Sequence, residues 1–373
     1  MIADVVVIGA GMVGAAIAYG LSGQGADVLV LDGGDRDFRS ASANFGLVWL
    51  HGKGMDMPAY QRLTRSSVAL WSEFNTGLTA TTDIDLHYEK KGGLVLCLGE
   101  AEFERRLATL QRLYKQLDGE ESDWEMIDRS ELATLFPKMR LGDEVTGASF
   151  GRVDGQANPL RLLTALHAGI VHKGGRLRGG SPVHSIRFER SGRFSIGFAD
   201  ERVSAARVVI AAGLGTKSLA AQVGLNVPIR PQRGQILVTE RLEPVLPLPT
   251  VDIRQTYEGT IMIGSTHEET GLDAATTVEA AAAMSARAVR QFPALGQTRL
   301  VRQWAGLRIL TPDGYPVYAQ SPTCPGAFIA LCHSGVTLAP MHAGPLAKAI
   351  GEGRLPNSFD VFHQRRFNVS QAA

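Results

Sequence analysis

The stretch Val5-Val6-Val7-Ile8-Gly9-Ala10-Gly11-Met12-Val13-Gly14 decides the fold of this chain, because an apolar strand runs directly into the pattern G-x-G-x-x-G. In such a turn the first glycine allows a sharp bend, the second lets backbone approach a pyrophosphate, and the third lets a helix pack closely on the strand. The N–H groups at the start of that helix favour anionic oxygens. The pattern predicts a Rossmann-type unit that binds an adenine dinucleotide.

An acidic residue supports this prediction. Residues 27–31, which are apolar after Asp27, form a second predicted strand that delivers Asp32. This acid lies about 20 residues beyond the glycines, where a carboxylate accepts hydrogen bonds from an adenosine ribose. A glycine-rich turn without a ligand is the simpler alternative, but strand, glycines, helix, strand and acid in this order favour the dinucleotide. The turn does not distinguish FAD from NAD.

Composition limits the other classes of function. The 38 Lys and Arg residues balance 37 Asp and Glu residues, which gives no electrostatic case for nucleic acid or an anionic membrane surface. Cys97, Cys324 and Cys332 lack C-x-x-C spacing, so neither a zinc nor an iron–sulfur site is predicted. The first strand begins close to Met1 and no apolar run has the length of a bilayer span. We therefore expect a cytoplasmic protein without a signal peptide or transmembrane segment.

Strand and helix patterns alternate along the chain, which predicts an α/β protein of two or three domains. The apolar run 207–213 ends in Ala211-Ala212-Gly213, is typical of a buried parallel strand, and indicates a return to the first sheet. Asn158 is expected to cap a helix that begins at Pro159. Further strands are predicted near 93–98, 183–186, 194–198, 235–239, 260–264 and 327–331, and further helices near 59–74, 100–117, 274–292 and 338–350.

Several separated blocks make the whole chain resemble one family. They are the N-terminal glycines, Asp154-Gly155 through Pro159, Arg207 to Gly213, Arg233-Gly234-Gln235, Gly264-Ser265-Thr266, Gly306-Leu307-Arg308, Pro312-Asp313-Gly314 and His333-Ser334-Gly335 before Ala339-Pro340. In this order they resemble the D-amino-acid oxidase superfamily of FAD flavoproteins, which includes glycine oxidases, sarcosine oxidases and D-amino-acid dehydrogenases. Residues 44–49 and 51–54 most resemble the FAD subunits of opine oxidases and D-hydroxyproline dehydrogenases.

The resemblance implies a discontinuous Rossmann-like FAD-binding domain, residues 1–85, 146–220 and 301–373. It implies an α+β substrate domain with an antiparallel or mixed sheet, residues 86–145 and 221–300. Asp32 is then expected at the ribose, residues 40–47 at the pyrophosphate (a plain loop is the alternative), the Val183 backbone at the adenine, and residues 333–337 at the flavin ring. The full cofactor set is Gly9, Gly11, Met12, Val13, Gly14, Asp32, Gly33, Ser40, Ser42, Asn44, Phe45, Gly46, Leu47, Val183, Ala212, Gly213, His333, Ser334, Gly335, Val336 and Thr337.

The substrate site is expected around Arg308. The resemblance places the substrate carboxylate on Arg308, and a planar guanidinium suits this role because it can donate two parallel hydrogen bonds. A structural ion pair is the alternative for this arginine. His333, Tyr257, His51 and Lys53 are candidates to line the site. Hydride transfer from a neutral amine requires no protein base, and none is assigned.

Two departures from the family pattern refine these expectations. Monomeric sarcosine oxidases attach flavin to a cysteine shortly after the G-x-R motif, whereas residues 309–311 here are Ile-Leu-Thr. We therefore expect non-covalent FAD. Those enzymes also carry a lysine associated with oxygen activation where Met262 stands, and its absence favours a dehydrogenase over an oxidase.

The leading hypothesis is FAD-dependent oxidation of a D-amino acid, an N-substituted or cyclic amino acid, or an opine. The chain would act on this small molecule either by itself or together with partner subunits that carry iron–sulfur or further flavin centres. An NAD-dependent dehydrogenase is one alternative. A flavin-binding subunit with an electron-transfer or structural role is another.

Overall fold

The predicted strand–helix–strand unit is present at the N-terminus of the computed structural model, which describes residues 1–34, 40–117 and 123–368. Strand β1 (Ile2–Ile8) precedes helix α1 (Met12–Gly23), and β2 (Val28–Leu31) lies parallel to β1. Gly9 has a φ of 103°, and a Cβ on it would lie 2.4 Å from the Ala211 carbonyl oxygen. Only glycine fits this bend, because other residues avoid both the conformation and the contact.

The largest sheet has eight strands, numbered in chain order, and includes β1 and β2. Its other members are β8 (Arg176–Arg178), β9 (Val183–Phe188), β10 (Phe194–Phe198), β11 (Glu201–Ile210), β16 (Val317–Gln320) and β17 (Ala327–Leu331). Strand β11 pairs in parallel with both β1 and β17. The predicted return of the 207–213 segment to the first sheet is therefore confirmed.

Successive side chains of β1 point to opposite faces of the sheet, and each face packs into its own hydrophobic core. Val5 and Val7 pack with Ile17 of α1 in one cluster, whereas Val6 and Ile8 join a second cluster. Burial on both faces explains why residues 5–8 of β1 and all four residues of β2 are apolar in succession.

The remaining strands form three smaller sheets. The four-stranded antiparallel sheet has the order β13 (Ile253–Gln255), β14 (Thr260–Gly264), β12 (Arg230–Arg241), β15 (Leu300–Leu310). The three-stranded sheet has the order β4 (Gly93–Leu98), β6 (Val145–Gly151), β5 (Trp124–Asp128), and β3 (Leu47–Val48) pairs with β7 (Gly155–Gln156). Leu96, Leu237 and Phe292 belong to one shared core, so the three- and four-stranded sheets pack as one unit.

Two expected domain boundaries differ from these sheets. Strand β6 was expected with the cofactor domain from residue 146, but it pairs with β4 and β5. Strand β15 was also expected there from residue 301, but it pairs with β12 over nearly its whole length. Pairing between strands so distant in sequence leaves no local signal, which accounts for both differences. The naming of the two parts as cofactor and substrate domains stays a prediction.

The helices follow the predicted pattern with shifted ends. The further helices are α2 (Pro58–Thr82), α3 (Glu100–Lys115), α4 (Arg129–Leu135), α5 (Pro159–His172), α6 (Thr216–Ala221), α7 (Val278–Gln291), α8 (Ala339–Met341) and α9 (Ala347–Gly351). Asn158 caps α5 as predicted, since its side chain accepts from Leu160 N at 3.1 Å and Arg161 N at 3.2 Å.

A π turn (His342–Leu346) joins α8 to α9 and contains Pro345, which lacks the N–H that a regular helix needs there. Among the described residues, no helix has the length and apolar character of a membrane span.

Candidate functional site

A cavity of about 600 Å³ has walls from the eight-stranded sheet and the four-stranded sheet, a volume within the usual range for a ligand site. The predicted site residues that line it are Gly9, Gly11, Met12, Val13, Asp32, Gly33, Ser40, Asn44, Phe45, Leu47, Lys53, Val183, Ala212, Gly213, Arg308, His333, Ser334, Gly335, Val336 and Thr337. Segments from five distant parts of the sequence therefore meet around one space.

One end of the cavity has the features that a dinucleotide requires. Helix α1 begins after Gly11, and no side chain of the described residues caps its first N–H groups. A Cβ on Gly11 would meet nothing closer than the Ala41 Cβ at 4.0 Å, so the missing side chain leaves open space at the helix start. The Asp32 carboxylate accepts from Ala10 N at 2.7 Å and Gly34 N at 3.0 Å, which fixes it beside the turn. These residues fit a bound pyrophosphate and ribose.

Three residues of the predicted cofactor set do not line the cavity. Gly14 is buried, and a Cβ on it would lie 2.0 Å from the Gly9 carbonyl oxygen. Gly46 has a φ of 91°, and its Cβ would lie 2.4 Å from the Ala157 carbonyl oxygen. Both glycines therefore shape the backbone around the site, and Ser42 is exposed on the other side of its loop.

The turn formed by residues 333–337, between β17 and α8, lies against the start of α1. A Cβ on Gly335 would be 3.1 Å from the Met12 Cβ. Thr337 anchors the turn, because its Oγ1 accepts from Trp49 N at 3.1 Å and its carbonyl oxygen accepts from Ser67 Oγ at 2.8 Å. The 333–337 turn and the glycine turn thus share one wall of the cavity.

Arg308 faces this turn from β15. Its Nη1 donates to the Thr266 carbonyl oxygen at 2.7 Å, and its Nη2 donates to Ser265 Oγ at 2.5 Å. Within the described ranges no carboxylate comes within 4.0 Å of the guanidinium. Burial lowers the pKa of Arg308, although the carboxylate of Glu268 opposes this. The structural ion pair considered as an alternative is thus not formed there.

A second layer of hydrogen bonds holds the segment that carries Thr266. Glu268 accepts from Arg233 Nη2 at 2.7 Å and from Gln235 Nε2 at 2.9 Å, and it also accepts from the Thr266 hydroxyl. Arg233 and Gln235 belong to β12, and Thr266 follows β14. Because these partners hold Thr266 in place, they also fix the position of the Arg308 guanidinium that it accepts from.

Two histidines of the cavity have lowered pKa values. Burial lowers the pKa of His333 to about 3, and the positive charges of Lys53 and Arg308 contribute. Although the pKa is lowered, His333 is an exposed residue, and it lines the cavity. Burial and Arg308 also lower the pKa of His267. Arg308 and Lys53 are the arginine and lysine side chains that line the cavity in the described part of the chain.

Two candidate residues are placed elsewhere, contrary to expectation. Tyr257 is 81% exposed in the turn between β13 and β14, where its ring stacks on His87 at 4.3 Å. His51 is buried behind the cavity wall, with Nδ1 2.8 Å from Asp154 Oδ2 and Nε2 2.7 Å from Ser149 Oγ. Because both of its ring nitrogens are already bonded, His51 stabilises the turn that leads to Lys53.

The cavity also has lining residues that the sequence analysis did not assign to the site, among them Trp49, Asp252, Ser265 and His267. Ser265 lies in the Gly264-Ser265-Thr266 block, which is a signal that could have identified it. Trp49 ends the 44–49 stretch and His267 follows the Gly264-Ser265-Thr266 block, whereas Asp252 lies outside the quoted blocks. Asp252 lies 3.4 Å from Arg287 Nε and accepts from Gln291 Nε2 at 3.2 Å.

Cys332 also lines the cavity, but its thiol is not reactive. Burial raises the pKa of Cys332 to about 12, so the thiolate needed for a covalent bond is scarce at neutral pH. All three cysteines are free. In the described part of the chain, His, Cys, Asp and Glu side chains form no group of three or more that could hold a metal ion.

Comparisons with known proteins identify relatives of this chain that are FAD-dependent enzymes. A family model described as FAD dependent oxidoreductase matches residues 4–349. The chain is 40% identical to a subunit of the opine oxidase of Agrobacterium tumefaciens (strain Ach5), covering 99% of each protein. It is 38% identical to the corresponding opine oxidase subunit of Rhizobium meliloti, again covering 99% of each. The crystal structure of glycine oxidase from Geobacillus kaustophilus superposes with a TM-score of 0.87 and 24% identity, covering 100% of this chain and 99% of that one.

Proposed function

Because this chain belongs to the DAO family of FAD-dependent oxidoreductases, we propose that it oxidises the carbon–nitrogen bond of a small carboxylate-bearing amine. The candidate substrates are a D-amino acid, an N-substituted or cyclic amino acid, and an opine. FAD as the cofactor sets aside the NAD alternative for the glycine turn. Opines are preferred among the substrates, because the two relatives at 40% and 38% identity are named as subunits of opine oxidase.

The observation that carries the proposal is the Arg308 guanidinium, which faces the cavity without a carboxylate partner among the described side chains. A substrate carboxylate would supply that partner through two parallel hydrogen bonds. The bond fixes one end of the substrate, so that the adjacent carbon and its C–H bond take a defined direction. Arg308 is thus a binding and orienting residue.

The reaction itself removes two electrons from the substrate. When bound, FAD supplies the acceptor for the hydride of the carbon next to nitrogen. As that C–H bond breaks, the nitrogen lone pair forms the C=N bond of the imine, and the N–H proton is released. Neutral His333 adds no charge that would compete with Arg308 for the carboxylate.

We assign the cofactor positions on the same basis. Asp32 would accept from the ribose hydroxyls, the first N–H groups of α1 would donate to the pyrophosphate, and Val183 would contact the adenine. Cys332 is the cysteine that lines the cavity in the described part of the chain, and its protonated thiol supports non-covalent FAD. Acid precipitation should therefore release all of the flavin into the supernatant, and flavin retained in the pellet would contradict this.

An assembly with further subunits is a separate part of the proposal. It is supported by the names of the two opine oxidase relatives, each of which is described as one subunit of its enzyme. Three scattered cysteines cannot themselves ligate an iron–sulfur cluster, so such partners would carry the centres that accept electrons in place of oxygen. Turnover of the isolated chain should be faster with an artificial electron acceptor than with oxygen alone. Equal rates would instead favour an oxidase.

The decisive experiment is anaerobic bleaching of the bound flavin absorbance by a panel of D-amino acids, cyclic amino acids and opines. One class is expected to bleach the flavin and to yield the corresponding carbonyl compound after hydrolysis of the imine. Photoreduction provides the control that the flavin can be reduced. If photoreduction succeeds while every amine fails, electron transfer without a substrate site becomes the preferred function.

A further inference from the structure

Lys53 is a charged residue of the cavity that the proposed reaction leaves unused. It follows β3, lines the cavity, and donates from Nζ to Ser334 Oγ at 3.3 Å. No carboxylate of the described chain lies within ion-pair distance of Nζ. The charge of Asp154 raises the pKa of Lys53, but the Asp154 carboxylate already accepts from Leu50 N at 2.6 Å and is bonded to the His51 ring.

The hydroxyl of Ser334 receives a second hydrogen bond. The Tyr60 hydroxyl donates to Ser334 Oγ at 2.9 Å, and burial raises the pKa of Tyr60, so the phenol keeps its proton. With both lone pairs of Oγ occupied, the hydrogen of Ser334 is free to donate in another direction. Ser334 itself lines the cavity, so that direction is open to a ligand.

Lys53 is half-buried, and an ammonium group removed from water without a counter-ion is unfavourable. Desolvation accordingly lowers the pKa of Lys53. A negative charge in the cavity would stabilise it. The proposed reaction brings two such charges, the substrate carboxylate and the charge that accumulates on the reduced flavin. Arg308 takes the first from β15, where its own bonds run to Ser265 and Thr266.

Lys53 is held by a different part of the cavity lining from Arg308. It is bonded to the 333–337 turn, which lies against the start of α1 and is expected to border the flavin ring. We propose that Lys53, with Ser334 as the hydroxyl it orients, stabilises the negative charge of reduced FAD and so raises the reduction potential of the cofactor. The inference rests on the proposed binding of FAD in this cavity, but not on the identity of the substrate.

The test compares Lys53→Met with the native protein, both loaded with FAD and without substrate. Sulfite, which adds to the electron-poor flavin ring and leaves it negatively charged, is titrated by the loss of flavin absorbance. The reduction potential is measured against a reference dye. We expect at least a tenfold weaker sulfite affinity and a reduction equilibrium shifted at least tenfold toward oxidised flavin, about 30 mV for a two-electron couple.

Three variants control for other effects. Lys53→Arg keeps the charge and should retain both values within threefold. Lys348→Met removes an exposed lysine of α9 and should change neither. Lys53→Gln keeps a donor to Ser334 without the charge, and it replaces Lys53→Met in the comparison if the methionine variant does not fold.

An unchanged sulfite affinity and potential in Lys53→Met would overturn the inference. So would a variant that keeps both values but loses affinity for a carboxylate inhibitor such as acetate, since Lys53 would then bind substrate. A substrate screen that fails while these shifts are present would overturn the proposed substrate classes and leave the role of Lys53 standing.

Discussion

Arg308 and Thr266 are joined by a hydrogen bond of 2.7 Å from the guanidinium to a main-chain carbonyl oxygen. A neutral acceptor fixes the position of the guanidinium without cancelling its charge. We expect Arg308→Met to lower kcat/KM about a hundredfold, the loss of about 3 kcal/mol from a charge-assisted pair. Steady-state kinetics with the substrate found by the screen would measure it.

The control for this change lies on the same strand. Arg302→Met alters an exposed arginine of β15 that lies over the Trp304 ring, and it should leave kcat/KM within twofold. An Arg308→Met variant with native kcat/KM would contradict the assigned role.

Glu268 is expected to act on substrate binding through Thr266 and Arg233. Glu268→Gln keeps the shape of the side chain but weakens its bonds to Arg233 and Thr266. A loss of about 1 kcal/mol raises KM about fivefold with little change in kcat, because the orienting group moves while the cofactor does not. Glu269→Gln alters the neighbouring exposed acid, which bonds Gln232 at 2.7 Å, and it should show native kinetics. A fall in kcat alone would count against this explanation.

The glycines of the first turn should separate folding from cofactor binding. Gly14→Ala places a methyl group against the Gly9 carbonyl oxygen, so it should lower the free energy of unfolding by about 1–3 kcal/mol. Gly11→Ala adds its methyl group in open space beside Ala41. Unfolding of the apoprotein should then change by less than about 0.5 kcal/mol, while the Kd for FAD rises at least tenfold.

Denaturant unfolding of the apoproteins and flavin fluorescence titrations would measure the two effects. Equal FAD affinity in Gly11→Ala and the native chain would exclude the helix start as the pyrophosphate site.

His342 should make stability fall with acid. It is fully buried, its Nε2 lies 2.8 Å from the Tyr318 hydroxyl, and burial lowers its pKa to about 3. The unfolded chain binds the proton at a pKa of about 6.5. The stabilisation from neutral His342 is therefore complete above about pH 6.5 and is lost as the pH decreases toward 3.

Between pH 7 and pH 5 this residue should account for a loss of about 2 kcal/mol in the free energy of unfolding. Urea unfolding at both pH values would measure the loss, and His342→Gln, which keeps a partner for Tyr318, should reduce it by that amount. His172→Gln, an exposed position at the end of α5, serves as the control. A pH dependence unaffected by His342→Gln would refute the assignment.

The local sequence was sufficient to predict the glycine turn and Asp32 at one end of the cavity. The glycine turn and Asp32 are close in sequence, and strand period and glycine spacing act over the same short range. The family blocks extended this reach to Arg308, which the structure places at the cavity.

His51 and Tyr257 lie away from the cavity because their positions depend on contacts that the local sequence does not show. His51 was expected at the cavity because it is a histidine beside a motif, but its partners Asp154 and Ser149 are about a hundred positions away. The position of the Tyr257 side chain depends on the direction of the turn between β13 and β14. Asp252 lies outside the quoted blocks and reaches the cavity through the packing of its sheet, which no local pattern reports.

The strand that carries Arg308 has a consequence for chimeric proteins. Strand β15 closes the four-stranded sheet at Leu310, and residues 311–316 lead directly into β16 of the eight-stranded sheet. An exchange of the substrate part with a relative must therefore carry the whole of β15, because a junction at residue 300 would divide one sheet between two parents. A junction within residues 311–316 keeps every strand with its own partners.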